Sequence, residues 1–231
     1  MGQRRSGKHD DEAGVVKQNI FLSGDAGWKT LWQSREFRVQ LGIALALIAF
    51  MAGTAHYFFD FIEARNGTRI SDPLLDLLPN RDVSWLVFFI LYSGVAIGLY
   101  VNFKKPVYLL LSLQTYVFVM LMRIITITFI PLEPPHGYIP LKEPIVQMFF
   151  VSDGRIISKD LFFSGHMSTL LALVFTAGKN VVRWVLATFA IILFALLLIQ
   201  HVHYTIDLIA APFGTWLAWA IGKKMIRRIS I

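Results

Sequence analysis

Six apolar runs, each close to the length needed to span a bilayer, constrain this chain more than any other feature. They cover Val39–Phe59, Val83–Val101, Val107–Ile130, Leu161–Ala177, Val182–Gln200 and Tyr204–Ile221, with charged residues and Pro/Gly punctuation between them. Crossing a hydrocarbon core of ~30 Å takes about 20 apolar residues in a helix, and in that medium only helices or closed barrels satisfy their own backbone hydrogen bonds. The runs are continuous rather than alternating, which favours helices over barrel strands. Composition points the same way: 55% of the residues are hydrophobic and the mean hydropathy is +0.58, whereas ordinary globular chains are roughly 45–50% apolar. The expected fold class is all-α, a polytopic membrane protein of six transmembrane helices.

The loops then set an orientation, because Lys and Arg near span ends are retained on the cytoplasmic side. One side receives fifteen of them: seven from Arg4 to Arg38, then Lys104, Lys105, Lys179, Arg183, Lys223, Lys224, Arg227 and Arg228. The other side receives six: Arg65, Arg69, Arg81, Lys142, Arg155 and Lys159. Both termini are therefore expected in the cytoplasm, with the loops Asp60–Asp82 and Pro131–Asp160 exterior or lumenal. The expected organisation is a polar cytoplasmic extension over 1–38, one membrane domain over 39–222 and a basic tail over 223–231. The polar start is unlike a cleavable signal, so the first span is expected to be retained. Met1-Gly2-Gln3-Arg4-Arg5-Ser6 fits a loose N-myristoylation pattern that is common by chance. The net charge of +7 reads as attraction to an anionic leaflet rather than to nucleic acid, since the basic residues are juxtamembrane.

Chemistry has to come from the few polar groups in or beside the spans. There is no cysteine, which excludes disulfides, thiolate nucleophiles and cysteine-bound metal. Each ionisable group at mid-helix costs roughly 2.5–3.5 kcal/mol on insertion scales, so such groups are functional candidates by default. Arg123 lies near the non-cytoplasmic end of span three, His166 at the start of span four, and His201, His203 and Asp207 at the start of span six. The topology brings all of these to one depth. His203 and Asp207 are four apart, so a carboxylate on the same helix face can fix the tautomer of His203 and leave its other nitrogen as a nucleophile. His166 suits the acid that protonates a leaving oxygen. Ser164-Gly165-His166 opens a helix whose free N–H groups favour a phosphate, with Arg123 available as a bidentate clamp. His56 and His136 read as ordinary interfacial histidines.

At these residues the chain resembles the sphingomyelin synthase family, within the wider lipid phosphatase and phosphotransferase superfamily. The resemblance rests on Asp160-Leu161-Phe162-Phe163-Ser164-Gly165-His166 followed by His203-Tyr204-Thr205-Ile206-Asp207. Two weaker segments agree in order, Pro73-Leu74-Leu75-Asp76 with Trp85, and Arg123-Ile124-Ile125-Thr126 through Pro131. It extends over roughly Pro73 to Ala211, and Met167 stands where that family has threonine. The resemblance implies a phosphotransferase that needs no cofactor and no metal. His203, polarised by Asp207, takes a headgroup phosphate from a glycerophospholipid donor, and ceramide or a diacylglycerol-type acceptor then receives it, with His166 as acid and then base. It also implies that Arg123, Ser164, Gly165 and Asp160 bind the substrate phosphate, and that the site lies on the non-cytoplasmic side. The cationic motifs of type 2 phosphatidic acid phosphatases are missing, with Leu196 and Leu197 at one pair of their positions, which favours headgroup transfer over monoester hydrolysis.

Three other readings fit the same residues. A lipid phosphatase or phospholipase C-like hydrolase would use water as acceptor. A metal-dependent hydrolase would use His166, His201, His203 and Asp207 as ligands, although a His-x-His on a helix sends its two rings about 200° apart. A transporter would line a pathway with Arg123, His166 and Asp207.

Overall fold

The computed structural model describes residues 26–141, 157–178, 180–227 and 229. The N-terminal myristoylation pattern, most of the 1–38 extension, and Lys142, Arg155, Lys179 and Arg228 lie outside the described residues. Among those described, the elements are α1 (Trp28–Leu31), α2 (Arg35–Glu63), α3 (Pro73–Asp76), α4 (Ser84–Phe103), α5 (Pro106–Phe129), α6 (Gly165–Thr176), α7 (Val181–Ile199) and α8 (Thr205–Ile226). The fold is all-α, as the apolar runs require. Five helices, α2, α4, α5, α7 and α8, are long and apolar enough to cross a membrane.

Helix ends follow local chemistry. Ser34 caps α2 by accepting from the Phe37 N–H at 3.4 Å, and Asn180 caps α7 by accepting from the Arg183 N–H at 3.1 Å. Between α4 and α5 the chain turns at Lys104–Lys105, and Pro106 occupies the first turn of α5, where its missing N–H costs nothing.

The run expected over Leu161–Ala177 is helical only over Gly165–Thr176. Twelve residues rise about 18 Å, short of the ~30 Å hydrocarbon thickness. The reason is visible at its start: the carbonyls of Phe162 and Phe163 are taken by side chains of α5, and Ser164 caps the helix, so Leu161–Phe163 stay non-helical. α6 has no exposed residue. It packs against α4, α5, α7 and α8 and puts Leu170 and Leu173 into a core shared with Val87, Leu186, Leu193 and Leu208.

α8 passes this layer at Gly214, where an added Cβ would stand 2.6 Å from the Phe163 ring. The small residue lets the non-helical segment before α6 lie close against α8. At the end of the bundle that carries Lys104 and Lys105, Asn102 donates to Ser112 at 2.7 Å and Ser112 donates to Thr176 at 2.8 Å. Interhelical bonds of this kind average about 0.6 kcal/mol, so they set register more than stability. The opposite end holds the loops after α2 and α5, the non-helical segment before α6 and the start of α8.

Candidate active site

The segment entering α6 is built around Arg123. Its Nε donates to the Phe163 carbonyl at 2.7 Å, and its Nη2 pairs with the Asp160 carboxylate at 2.7 Å. Thr126, one turn on, donates to the Phe162 carbonyl at 2.9 Å. Only 8% of Arg123 is exposed, and the bonds to Asp160 and Phe163 offset the cost of a buried cation. Burial opposes ionisation of Asp160, yet the Arg123 charge and hydrogen bond, with the nearby His203 and His166, hold its carboxyl below the usual range. The guanidinium lies across the first residue of α6. A Cβ on Gly165 would stand 2.5 Å from Nη1, so glycine is required by close approach.

The start of α8 differs from the sequence-based expectation. His203 is not on the helix: Tyr204 is the N-cap, and α8 begins at Thr205. The spacing of four still brings His203 to Asp207, because Asp207 folds back onto the helix start and accepts from the Tyr204 N–H at 3.0 Å. His203 Nδ1 then lies 3.4 Å from Asp207 Oδ2, a contact longer than the ~2.7–2.9 Å of a tight charge-assisted bond. Asp207 is fully buried, and His203 is 3% exposed. Burial lowers the pKa of His203, and the Asp207 carboxylate works against that shift. With Nδ1 turned to a carboxylate, Nε2 carries the lone pair. The His166 ring lies edge-on to the His203 ring, with centroids 6.2 Å apart, and Phe88 flanks it at 6.4 Å.

Of the residues read from sequence, Arg123, Asp160, Gly165, His166, His203 and Asp207 converge at this end of the bundle. Ser164 is fully buried, and its hydroxyl accepts from the Met167 N–H at 3.4 Å, so it builds the helix start and does not reach the cavity. Asp160, an anion, holds Arg123. His201 turns elsewhere: in the left-handed region at φ 53°, it donates from Nδ1 to the His136 carbonyl at 3.0 Å. Among the described residues no three His, Cys, Asp or Glu side chains gather to hold a metal ion. His56 lies on α2 with its ring tilted 41° to that of Tyr57, at a centroid distance of 3.8 Å.

Sequence reasoning missed Asp72. Its carboxylate accepts from the Leu75 N–H at 3.2 Å, the Thr205 N–H at 2.6 Å and the Thr205 hydroxyl at 3.0 Å, so one side chain starts both α3 and α8. An Asp immediately before Pro at a helix start was the available signal. A cavity of about 290 Å³ reaches this cluster, with Arg123, Asp160, Gly165 and His166 at one end of an otherwise mostly apolar lining.

Several apolar helices around a His–His–Asp cluster, of which His203 and Asp207 are buried, fit a multi-pass membrane protein with a polar site at one end of its bundle. Residues 159–224 match the family described as PAP2 superfamily C-terminal. The matched segment carries Asp160, Gly165, His166, His203 and Asp207, and it supports a membrane enzyme of the lipid phosphatase and phosphotransferase type. No curated protein matches the chain at a significant level.

Proposed function

We propose that the protein is a sphingomyelin synthase-like lipid phosphotransferase that moves a phospho-headgroup from a glycerophospholipid to ceramide or a related lipid alcohol. The observation that carries this reading is the buried His203, with the Asp207 carboxylate 3.4 Å from its Nδ1 and the half-buried His166 ring at a centroid distance of 6.2 Å. The Asp207 contact supports a division of roles. His203 Nε2 attacks phosphorus while the bond from phosphorus to the diacylglycerol oxygen breaks, and His166 gives that oxygen its proton. Asp207 stabilises the His203 ring as positive charge develops on it. In the second half, the acceptor hydroxyl gives its proton to His166, its oxygen bonds to phosphorus, and the phosphorus–nitrogen bond breaks. Arg123 and the N-terminal N–H groups of α6 face the phosphate oxygens. Burial of His203 and Asp207 supports a lipid acceptor over water.

The uneven distribution of Lys and Arg supports cytoplasmic termini, six crossings with α6 and its leading segment as the fourth, and a site on the exterior or lumenal side. The test is reconstitution with headgroup-labelled phospholipids, with and without ceramide or diacylglycerol, followed by mass spectrometry of the lipids. Labelled headgroup on the added alcohol is the expected result. Release of headgroup phosphate at the same rate without acceptor would make the protein a hydrolase.

A further inference from the structure

α2 touches the bundle at its two ends and stands off in the middle. Phe37, Leu41 and Ala44 are buried near one end and Ile62 at the other, while no residue between Ala44 and Ile62 is buried. Polar bonds fasten the same two ends. Gln40 donates to the Met225 carbonyl at 3.3 Å and accepts from Gln114 at 2.8 Å. Glu63 accepts from the Ser158 N–H at 2.6 Å, the Ser158 hydroxyl at 2.9 Å and the Lys159 N–H at 2.7 Å, immediately before Asp160. Between these clasps lies the cavity of about 290 Å³, walled on the α2 side by one helical face that includes Ile48, Met51, Ala55 and Phe58. The opposite wall carries Met120 and Ile124, and the polar end is the Arg123–Gly165 cluster.

We propose that this slot is a lipid-tail subsite: one acyl chain of the substrate lies between α2 and α5, with the phosphate-bearing end of the molecule at Arg123 and Gly165. The occupant must be apolar over most of its length and polar at one end. A peptide segment does not meet that condition, because its backbone groups need partners all along the slot, and a helix of ~10–12 Å diameter is too wide for this volume. A hydrocarbon chain needs no partners. Held only at its ends, α2 leaves its middle free to admit a chain sideways, so the lipid reaches the histidines without leaving the membrane. The identity of the head rests on the proposed function, whereas the tail site rests on the shape of α2.

The experiment uses full-length protein in nanodiscs and a diacyl phospholipid bearing a diazirine midway along one chain. Photolabelling is expected on Met51, Ala55, Met120 or Ile124, displaced by excess unmodified phospholipid and mostly lost in Ala55→Trp, while label on the outward-facing Phe50 and Tyr57 is unchanged. Label in the slot no stronger than on Phe50 and Tyr57, or undiminished in Ala55→Trp, overturns the proposal. Ile124→Trp fills the slot from the other wall and decides the matter if Ala55→Trp does not fold. In turnover, either variant is expected to raise the KM for a dioleoyl substrate relative to a dihexanoyl one by about tenfold or more. An equal effect on both chain lengths overturns it. Slot labelling in a protein without phosphotransfer or hydrolysis would leave the tail site standing and remove the enzymatic reading; turnover without slot labelling would do the reverse.

Discussion

Arg123 and Gly165 are in such close contact that the glycine's missing Cβ would stand 2.5 Å from the guanidinium Nη1. The guanidinium cannot easily retreat, because Phe163 and Asp160 hold its other nitrogens. Gly165→Ala is therefore expected to lower stability by about 1–3 kcal/mol and to displace Arg123 from the start of α6. Thermal unfolding in detergent, together with phosphotransfer assays, checks this. A variant with wild-type melting and wild-type turnover would mean that the arginine is freely mobile.

Arg123→Lys keeps the charge and loses the planar fork that reaches Phe163 and Asp160 together. The expected cost is about 1–3 kcal/mol, below the ~3–5 kcal/mol of a fully buried pair because the Asp160 side chain is 26% exposed. Most activity should go with it. Asp160→Asn should give a similar loss of stability, and a double-mutant cycle should show that the two changes are not additive. Additive effects would separate the pair energetically.

The two histidines should fail in different ways. His203→Ala is expected to abolish turnover and any acid-labile phosphoryl adduct trapped from labelled phospholipid. His166→Ala should still act on a p-nitrophenyl phosphodiester, whose leaving group needs no proton, while losing natural lipid turnover. An adduct mapped to His166, or retained in His203→Ala, would reverse the assignment.

The pH profile follows from the burial of His203. A nucleophilic imidazole must be neutral, so activity rises with pH through its pKa, and burial places that acid limb below the ordinary 6.5. Asp207 works in the opposite direction, favouring the protonated ring. Asp207→Asn is thus expected to move the limb to still lower pH while cutting kcat by roughly 10³–10⁴-fold. A limb that moved upward would show that Asp207 does not act on His203.

Asp72 should matter for structure without touching substrate. Removing its three accepted hydrogen bonds in Asp72→Ala is expected to cost about 1–3 kcal/mol, with Asp72→Asn intermediate because one oxygen remains. Melting temperatures of the two variants test the order.

Helix positions were legible because apolar length is a local property: the expected Val83–Val101 and Val107–Ile130 appear as Ser84–Phe103 and Pro106–Phe129. The polar cluster was legible for a related reason, since Arg123, His166, His203 and Asp207 are costly beside a bilayer and alternating span direction places them at one end. Tertiary structure decided how they are used. Whether His203 meets Asp207 along a helix or around its cap depends on where α8 starts, and Asp72 helps set that point from 133 residues away. The fork of Arg123 was open to a phosphate on paper, but the fold spends two of its nitrogens on Asp160 and Phe163, and the Ser164 hydroxyl turns inward for the sake of the α6 cap. Nor does hydropathy distinguish a span packed along its whole length from α2, which is held only at its ends. Apolar pattern reports affinity for lipid, and lipid and protein interior are equally apolar, so only the packed structure shows which face meets which.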